Sequence, residues 1–384
     1  MNRYLTILLL SLFPFILNSQ EYRVLNVDFK MQFDGAHFFG LSDPNAKIAS
    51  GVDIRRARIA FSSQMFEDWK SNIELDFATG EVQLLDANIT YTGVDNFEFK
   101  LGNMKENFSM NCLKSSFNLP FLESSMVSDA FAPSFHLGVM GRYTNCGLNA
   151  SLGLFFQPVG SASEDEQYAN LNKKGIHSGH SITGRFIYNP FYESDEHALH
   201  IGVALSYRQP APLISDKYGE VSYDLRSGSY INKQKYLSTG VISNVEHNIL
   251  TGTELAGYYN GFRFQSEYIH SQTVIGTGDP YKFSGYYLYA GCMLFGGKQN
   301  YDAKNGRFSR PSLGNDWGDL ELLARFENIN LNSRDIKGGS CNAFTLGLNY
   351  YINKSVRLML NYQYNNHDEA VDYNTTSFRV EVDF

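Results

Sequence analysis

The densest chemistry in this sequence is cationic. Arg55, Arg56 and Arg58 stand within four residues, and a guanidinium fork donates paired hydrogen bonds that match a carboxylate or a phosphate. Lys105 and Lys114 fall in a stretch, 104–134, that has few charges but contains Phe108, Phe117, Phe121 and Phe131. Such a stretch is too apolar to stay in water, so it is expected to fold inward and pack against a wall. Arg185 stands on a later segment. Gathered in a confined, low-dielectric passage, Arg56, Arg58, Lys105 and Lys114 would favour anions whatever the charge of the whole chain. The opposing expectation is that Glu106, Glu123 and Asp129 cancel them, each arginine being an ion pair that braces the wall.

Catalytic patterns are lacking. The nine histidines lie mostly in loops or near strand ends, no serine occupies a nucleophile elbow, and there is no HExxH. His177 and His180 could clip a metal ion, but solvated loop histidines are by far the better explanation. Cys112, Cys146, Cys292 and Cys341 fit no metal spacing, and whether they pair is open. No cofactor is expected.

The elements that must position these cations are strands. After residue 20 no segment keeps a helical period, whereas alternation with period two recurs to the end. Phe97, Phe99 and Leu101 oppose Glu98 and Lys100; Val356, Leu358, Leu360, Tyr362 and Tyr364 oppose Arg357, Met359, Asn361 and Gln363. Strands are expected at 22–34, 52–64, 69–78, 84–92, 96–103, 135–143, 147–156, 179–188, 198–207, 251–259, 262–270, 282–296, 317–328, 340–352, 355–366 and 376–384. Many of these runs have the ten or so residues that cross a bilayer at a tilt. Asp95-Asn96, Asn145-Cys146, Asn260-Gly261 and Asn353-Lys354 are tight turn signals, while 157–178 and 209–250 are long and polar. Short turns at one end and long loops at the other are the signature of an all-β, antiparallel transmembrane barrel of roughly sixteen strands. By parity, the connection 297–316 is long yet falls among the short turns.

Bulk numbers agree. The 384 residues include 29 Phe, 25 Tyr and 2 Trp, the enrichment that interfacial girdles of a membrane barrel demand. A mean hydropathy of −0.29 excludes a bundle of membrane helices but not a barrel, whose strands turn only every second residue to lipid. A net charge of −8 argues against nucleic acid. Arg3 and the apolar run Leu5 to Leu17 form a secretory leader, expected at 1–19, with the barrel domain at 20–384. Alternation places Arg56 and Arg58 on the lumen face and Arg55 near the rim. The lumen also collects Glu74, Asp76, Asp86, Glu98, Glu267, Glu321, Glu327 and Glu381 beside Arg185, Arg263, Arg325, Arg357 and Arg379, the opposed rows that give general channels a transverse field.

Several stretches resemble the phosphate-selective porin O and P family. They are Arg55-Arg56-Ala57-Arg58 with Trp69 and Leu75-Asp76-Phe77; Lys105-Glu106-Asn107-Phe108-Ser109 running to Phe121-Leu122-Glu123 and Ala130-Phe131-Ala132-Pro133; Ser284-Gly285-Tyr286-Tyr287; and the segment from Tyr301 to Phe308. Gly338-Gly339, the run from Thr345 to Tyr351 and the run from Val356 to Tyr362 complete the match, in the family's order along nearly the whole mature chain. The resemblance implies an outer-membrane porin, a sixteen-stranded homotrimer whose third loop narrows each pore. It implies passive passage of small hydrophilic solutes, with loop and wall arginines and lysines leading anions such as phosphate inward. Lys105 matches the lysine that opens the third loop, and Arg208 fits the long 208–250 loop, in which Arg226 is a further candidate. Asn107 replaces a proline of the pattern, and Ser124 stands where many relatives carry an arginine. Outer-membrane lipid and the barrel-assembly machinery are the implied partners. A non-selective porin, an outer-membrane barrel enzyme and a surface adhesin are the competing readings.

Phe378, Val380, Val382 and Phe384 alternate with Arg379, Glu381 and Asp383 to the last residue, an ending similar to the signal that outer-membrane barrels present for assembly. Burying one Phe is worth about 1.5–3 kcal/mol, which a large barrel survives. Deleting Phe384 is therefore expected to lower outer-membrane levels, read by fractionation and immunoblot, far more than that loss of burial accounts for. Normal levels would remove the signal reading.

Overall fold

The computed structural model describes residues 23–384 apart from 44, 46–47, 160–178, 195, 213–217, 227 and 369. The expected leader lies outside the described residues, as does His177. Sixteen strands close into one antiparallel barrel: β1 (Arg23–Phe39), β2 (Gly51–Met65), β3 (Trp69–Asp76), β4 (Gln83–Val94), β5 (Phe97–Lys105), β6 (Phe135–Asn145), β7 (Leu148–Phe155), β8 (His180–Tyr188), β9 (His197–Gln209), β13 (Ile242–Tyr259), β14 (Phe262–Ile275), β15 (Tyr281–Met293), β18 (Asp319–Ser333), β19 (Ile336–Tyr351), β20 (Val356–His367) and β21 (Tyr373–Asp383). Between β9 and β13 lie β10 (Gly219–Val221), which extends the sheet beside β13, and the small pair β11 (Asp224–Leu225) and β12 (Leu237–Ser238). Each barrel strand pairs with its neighbours in sequence, and β21 returns to β1. Phe384 completes the seam by exchanging backbone hydrogen bonds of 3.0 Å with Phe29. Closure leaves the described barrel wall without a free edge and pairs its ladder groups within the wall, as hydrocarbon requires.

Alternation decides which way each side chain faces. Leu101, Leu152 and Val203 are more than half exposed on the outer wall, while Glu98, Ser151 and Thr183 on the same or adjoining strands are buried toward the lumen. The sixteen expected strands correspond one to one with the barrel strands. Three differences stand out. β13 begins at Ile242 rather than near 251, because the loop end of the barrel rises higher there. The turn after β6 is Cys146-Gly147, both with positive φ (46° and 78°), one residue beyond the expected position. The connection that parity put among the short turns is a hairpin, β16 (Lys298–Asp302) with β17 (Arg307–Ser312), which folds back into the lumen. Asn305-Gly306 forms its tip. Gly306 has φ 60°, a conformation that other residues rarely adopt, and its backbone passes close to Ile187 and Arg185 of the wall.

The third loop enters from the opposite end, as expected. It contains α1 (Met110–Leu113), a 3₁₀ turn at Ser116–Asn118 and α2 (Met126–Phe131), whose starts are capped by Ser109, Ser115 and Ser125 accepting from backbone N–H groups. Phe108, Phe121, Met126, Val127 and Phe131 pack on Ile269, Phe283, Tyr287, Tyr289, Leu323 and Ile329 of the wall, with Tyr223, Leu225 and Leu237 of the 210–241 loop laid over them. One half of the lumen, along β14 to β19, is thus filled like a protein interior.

Wall and filling are separable in this architecture. The protein is expected to migrate anomalously fast in SDS gels until boiled, because the closed wall resists the detergent. Phe121→Ala removes about 3–5 kcal/mol of packing from the filling alone. It should leave heat modifiability intact while raising single-channel conductance; loss of heat modifiability would show that wall and filling are one unit.

Candidate functional site

An irregular loop inside a barrel needs partners for its backbone groups, and the wall supplies them. Arg357 donates to the carbonyls of Leu119 (3.0 Å) and Phe117 (3.2 Å), Arg379 to Leu122 (2.5 Å), Arg325 to Glu123 (3.1 Å) and the Asn349 amide to Pro120 (2.9 Å). Two wall carboxylates accept from the loop: Glu267 from Asn111 N–H (2.7 Å) and Glu327 from Met126 N–H (2.8 Å). The lumen arginines of β18, β20 and β21 are therefore spent on holding the third loop.

Glu123 is the loop's own anchor. Arg55 donates to it twice (2.8 and 3.1 Å), Arg379 once (3.1 Å), and an Arg56 nitrogen lies 3.6 Å away. Burial alone would push the Glu123 carboxyl up, but the guanidiniums of Arg55, Arg56 and Arg379 overcome it and hold it down at about 2. Arg55 reaches this cluster because the β1–β2 register slips: Gln32 faces Arg56 and Phe33 faces Ile54, which leaves Arg55 as the extra residue of a bulge. The expectation that it sits near the rim is corrected by that bulge, which simple alternation does not foresee. Arg58 is bound to Asp76 (2.7 Å) and Glu74 (3.0 Å) of β3.

Between β2 and the third loop is a narrow cavity of about 180 Å³, lined by Arg56, Arg58, Lys105, Ser116, Ser124 and Ser128 among others. Arg56 Nε and Ser116 Oγ are buried there with no hydrogen-bond partner among the described residues. Lys105 donates to the carbonyls of Cys112 (2.6 Å) and Lys114 (3.0 Å). Its neighbour Lys114 also touches this cavity, but its ammonium turns away to Gln265 (2.5 Å) and the Tyr289 hydroxyl (3.0 Å), and burial holds it well below the ordinary lysine range. So the structure brings Arg56, Arg58 and Lys105 together and sends the fourth expected cation to the far wall.

The remaining candidates are fasteners. Arg185 grips Glu254 (2.6 Å) and the Gly306 carbonyl (2.9 Å), fixing the hairpin tip. Arg208 donates to Glu106 (2.8 Å) at the loop's start. Arg226 lies 4.9 Å from the ring centre of Tyr230, whose ring also carries Arg55 at 4.0 Å and whose hydroxyl donates to Asp129 (2.7 Å). The hairpin touches the third loop directly, Arg307 donating to the Leu113 carbonyl.

Toward the turn end the narrow cavity gives way to a chamber of about 750 Å³ that shares Lys105 and runs along β1 to β6. Its basic side chains are Lys70, Lys100, Lys105, Arg142, Lys304 and Arg307; its acids are Asp86 and Glu98. Glu98 is paired with Lys304 (2.7 Å) and faces Arg142 (3.5 Å). Of these cations only Lys105 was a sequence candidate. Lys70 and Lys100 are legible as lumen positions by alternation, but Arg307 and Lys304 depend on the inward hairpin, for which the misplaced long connection was the one signal.

The sequence profile of the family described as "Phosphate-selective porin O and P" matches residues 25–384. Porin O of Pseudomonas aeruginosa is 23% identical over 363 residues, covering 87% of this chain and 81% of that protein. The fold is shared with OmpT of Vibrio cholerae, solved in a trimer form, at a TM-score of 0.58 with 9% identity, 95% of this chain and 100% of that one covered. The anion-selective porin of Comamonas acidovorans gives a TM-score of 0.56 with 12% identity, covering 94% of this chain and all of that one. With its closed sixteen-stranded wall, inward loop and match along nearly its whole length, the chain belongs to the phosphate-selective porin O and P family and is an outer-membrane porin.

Proposed function

We propose that this porin passes small hydrophilic anions, phosphate among them, in preference to cations, by passive diffusion and without catalysing a reaction. The observation that carries this reading is the make-up of the open half of the lumen: six basic side chains against two acids line the chamber, and the narrow cavity above it adds Arg56, Arg58 and Lys114 against Asp129. In a chain with net charge −8 this is a local excess, and local field rather than total charge decides which ion enters a confined passage. The family is described as phosphate-selective and the Comamonas acidovorans porin of the same fold as anion-selective, and both descriptions point the same way. Each of Arg55, Arg56 and Arg58 faces a carboxylate, however, which favours a second reading: the arginines set the bore, and lysines set the sign.

Further parts of the reading follow from the wall. A homotrimer is supported by the trimer form of the OmpT fold relative. The exposed, terminal Phe384 beside Phe29 supports delivery by the barrel-assembly machinery into outer-membrane lipid, after removal of a leader at 1–19.

Reversal potentials across a KCl gradient test the sign. Wild type is expected to be anion-selective, and Lys105→Glu with Lys304→Glu to move the ratio toward cations; a cation-selective wild type contradicts the reading. Acid tests the lock. The Glu123 carboxyl is held near 2 against an ordinary 4.5, so its ionised clamp is complete above the ordinary value and is lost as pH falls toward 2. Open-channel current should stay steady from neutral pH down to about 5 and grow noisy between about 4 and 2. Glu123→Gln should be noisy at neutral pH and lose that acid step.

A further inference from the structure

The lower chamber has more order than an evenly charged funnel needs. Strand register aligns its lumen residues into two rungs. In the first, Gln64 faces Lys70, Lys70 faces Thr90, and Thr90 faces Lys100. In the second, Asn26 faces Ser62, Ser62 faces Asn72, and Asn72 faces Asn88. Neighbouring strands lie about 4.8 Å apart and alternate residues rise about 6.8 Å along a strand. The two lysines therefore flank Thr90 at about 10 Å from each other, with a row of amides and hydroxyls one step above. All of these side chains line the chamber.

Their hydrogen-bonding state sets them apart from the arginines of the lumen. The arginines above them are committed to carboxylates and loop carbonyls. By contrast the side chains of Lys70, Lys100, Thr90, Asn26, Ser62 and Asn72 have no hydrogen bond or ion pair within the protein among the described residues. A bare oxyanion needs the ammonium pair alone. A surface that adds a registered row of neutral donors and acceptors complements a solute that has hydroxyl groups as well as a charge. The chamber, at about 750 Å³ against about 180 Å³ for the constriction, has room for such a solute.

We propose that the rung of Lys70, Thr90 and Lys100, with Asn72 and Ser62 above it, is a binding site for an anionic polyol, a sugar carrying one phosphate or carboxylate group. The lysines take the charged group and the neutral rung takes the hydroxyls. The proposal rests on the anion-preferring reading and adds the class of solute to it.

The test is block of chloride current through single channels by solute added on the periplasmic side, comparing glucose 6-phosphate, orthophosphate and glucose. In wild type, glucose 6-phosphate should half-block at about five- to tenfold lower concentration than orthophosphate, the ratio that one or two net hydrogen bonds give, and glucose should block least. Asn72→Leu and Thr90→Val should each close that gap while leaving orthophosphate block unchanged, and Lys100→Gln should weaken block by both anions. Heat modifiability of each variant confirms a closed barrel. Equal half-blocking concentrations of the two anions in wild type, or a gap that survives both Asn72→Leu and Thr90→Val, overturns the proposal and leaves an anion channel with a solvated wall. A cation-selective wild type in the KCl gradient overturns the anion-preferring reading itself.

Discussion

The clamp of Arg55, Arg56 and Arg379 on Glu123 is the contact from which the rest of the lumen is set. The third loop must leave water because of its phenylalanines, but apolar packing is not directional and would tolerate several seatings. A carboxylate taken out of water costs several kcal/mol unless it meets cations with good geometry. Glu123 meets three guanidiniums only in the observed position, one from the β2 bulge, one beside it and one from the last strand. A buried ion pair of this kind contributes less to net stability than to uniqueness. The wall arginines that donate to loop carbonyls then follow from that seating, since the same register brings each within reach.

Once the loop is fixed, the lumen is divided. The half along β14 to β19 is closed by aromatic packing, by the β16–β17 hairpin rising from the periplasmic end and by the 210–241 loop from outside. Conduction is left to the half along β1 to β6, where lumen side chains are polar and partly unpaired. In the anion-preferring reading, selectivity arises less from the number of arginines than from which of them the filling consumes. Arginine, with five donors in a fixed fork, serves as fastener; of the chamber's lysines, Lys70 and Lys100 are left without a hydrogen bond or ion pair among the described residues.

The wall was legible in the sequence because period-two alternation is a local property: each of the sixteen segments carries its own evidence, down to the Asn260-Gly261 hairpin. The inward third loop was legible for the same reason, its phenylalanines being incompatible with exposure. Three features were not. Arg55 turns inward through a bulge, which is a property of two strands' register and not of either alone. Lys114 lies in the same loop as Lys105 and touches the same cavity, yet its ammonium crosses to Gln265 and Tyr289, a choice made by tertiary packing. Parity already put 297–316 at the short-turn end, but its inward fold depends on tertiary contacts, Arg185 on the Gly306 carbonyl and Arg307 on the Leu113 carbonyl. One overlooked signal was available: β15 is apolar on both faces, with Phe283, Tyr287, Tyr289 and Met293 on one and Tyr286 and Leu288 on the other, and a strand at a water-filled lumen has no use for the second.

The central claim is that solutes pass along one side of this barrel. Substituted-cysteine accessibility tests it most directly, in a background with Cys112, Cys146, Cys292 and Cys341 replaced by Ser and with a charged, water-soluble thiol reagent added during single-channel recording. Cysteines at Ser62, Asn72 and Thr90 are predicted to react within minutes and to lower the current in discrete steps. Cysteines at Thr345 and Gln265, on the lumen face of the filled half, are predicted to stay unmodified. Equal reactivity of the two sets, with equal loss of current, would contradict a one-sided passage and return the whole lumen to water.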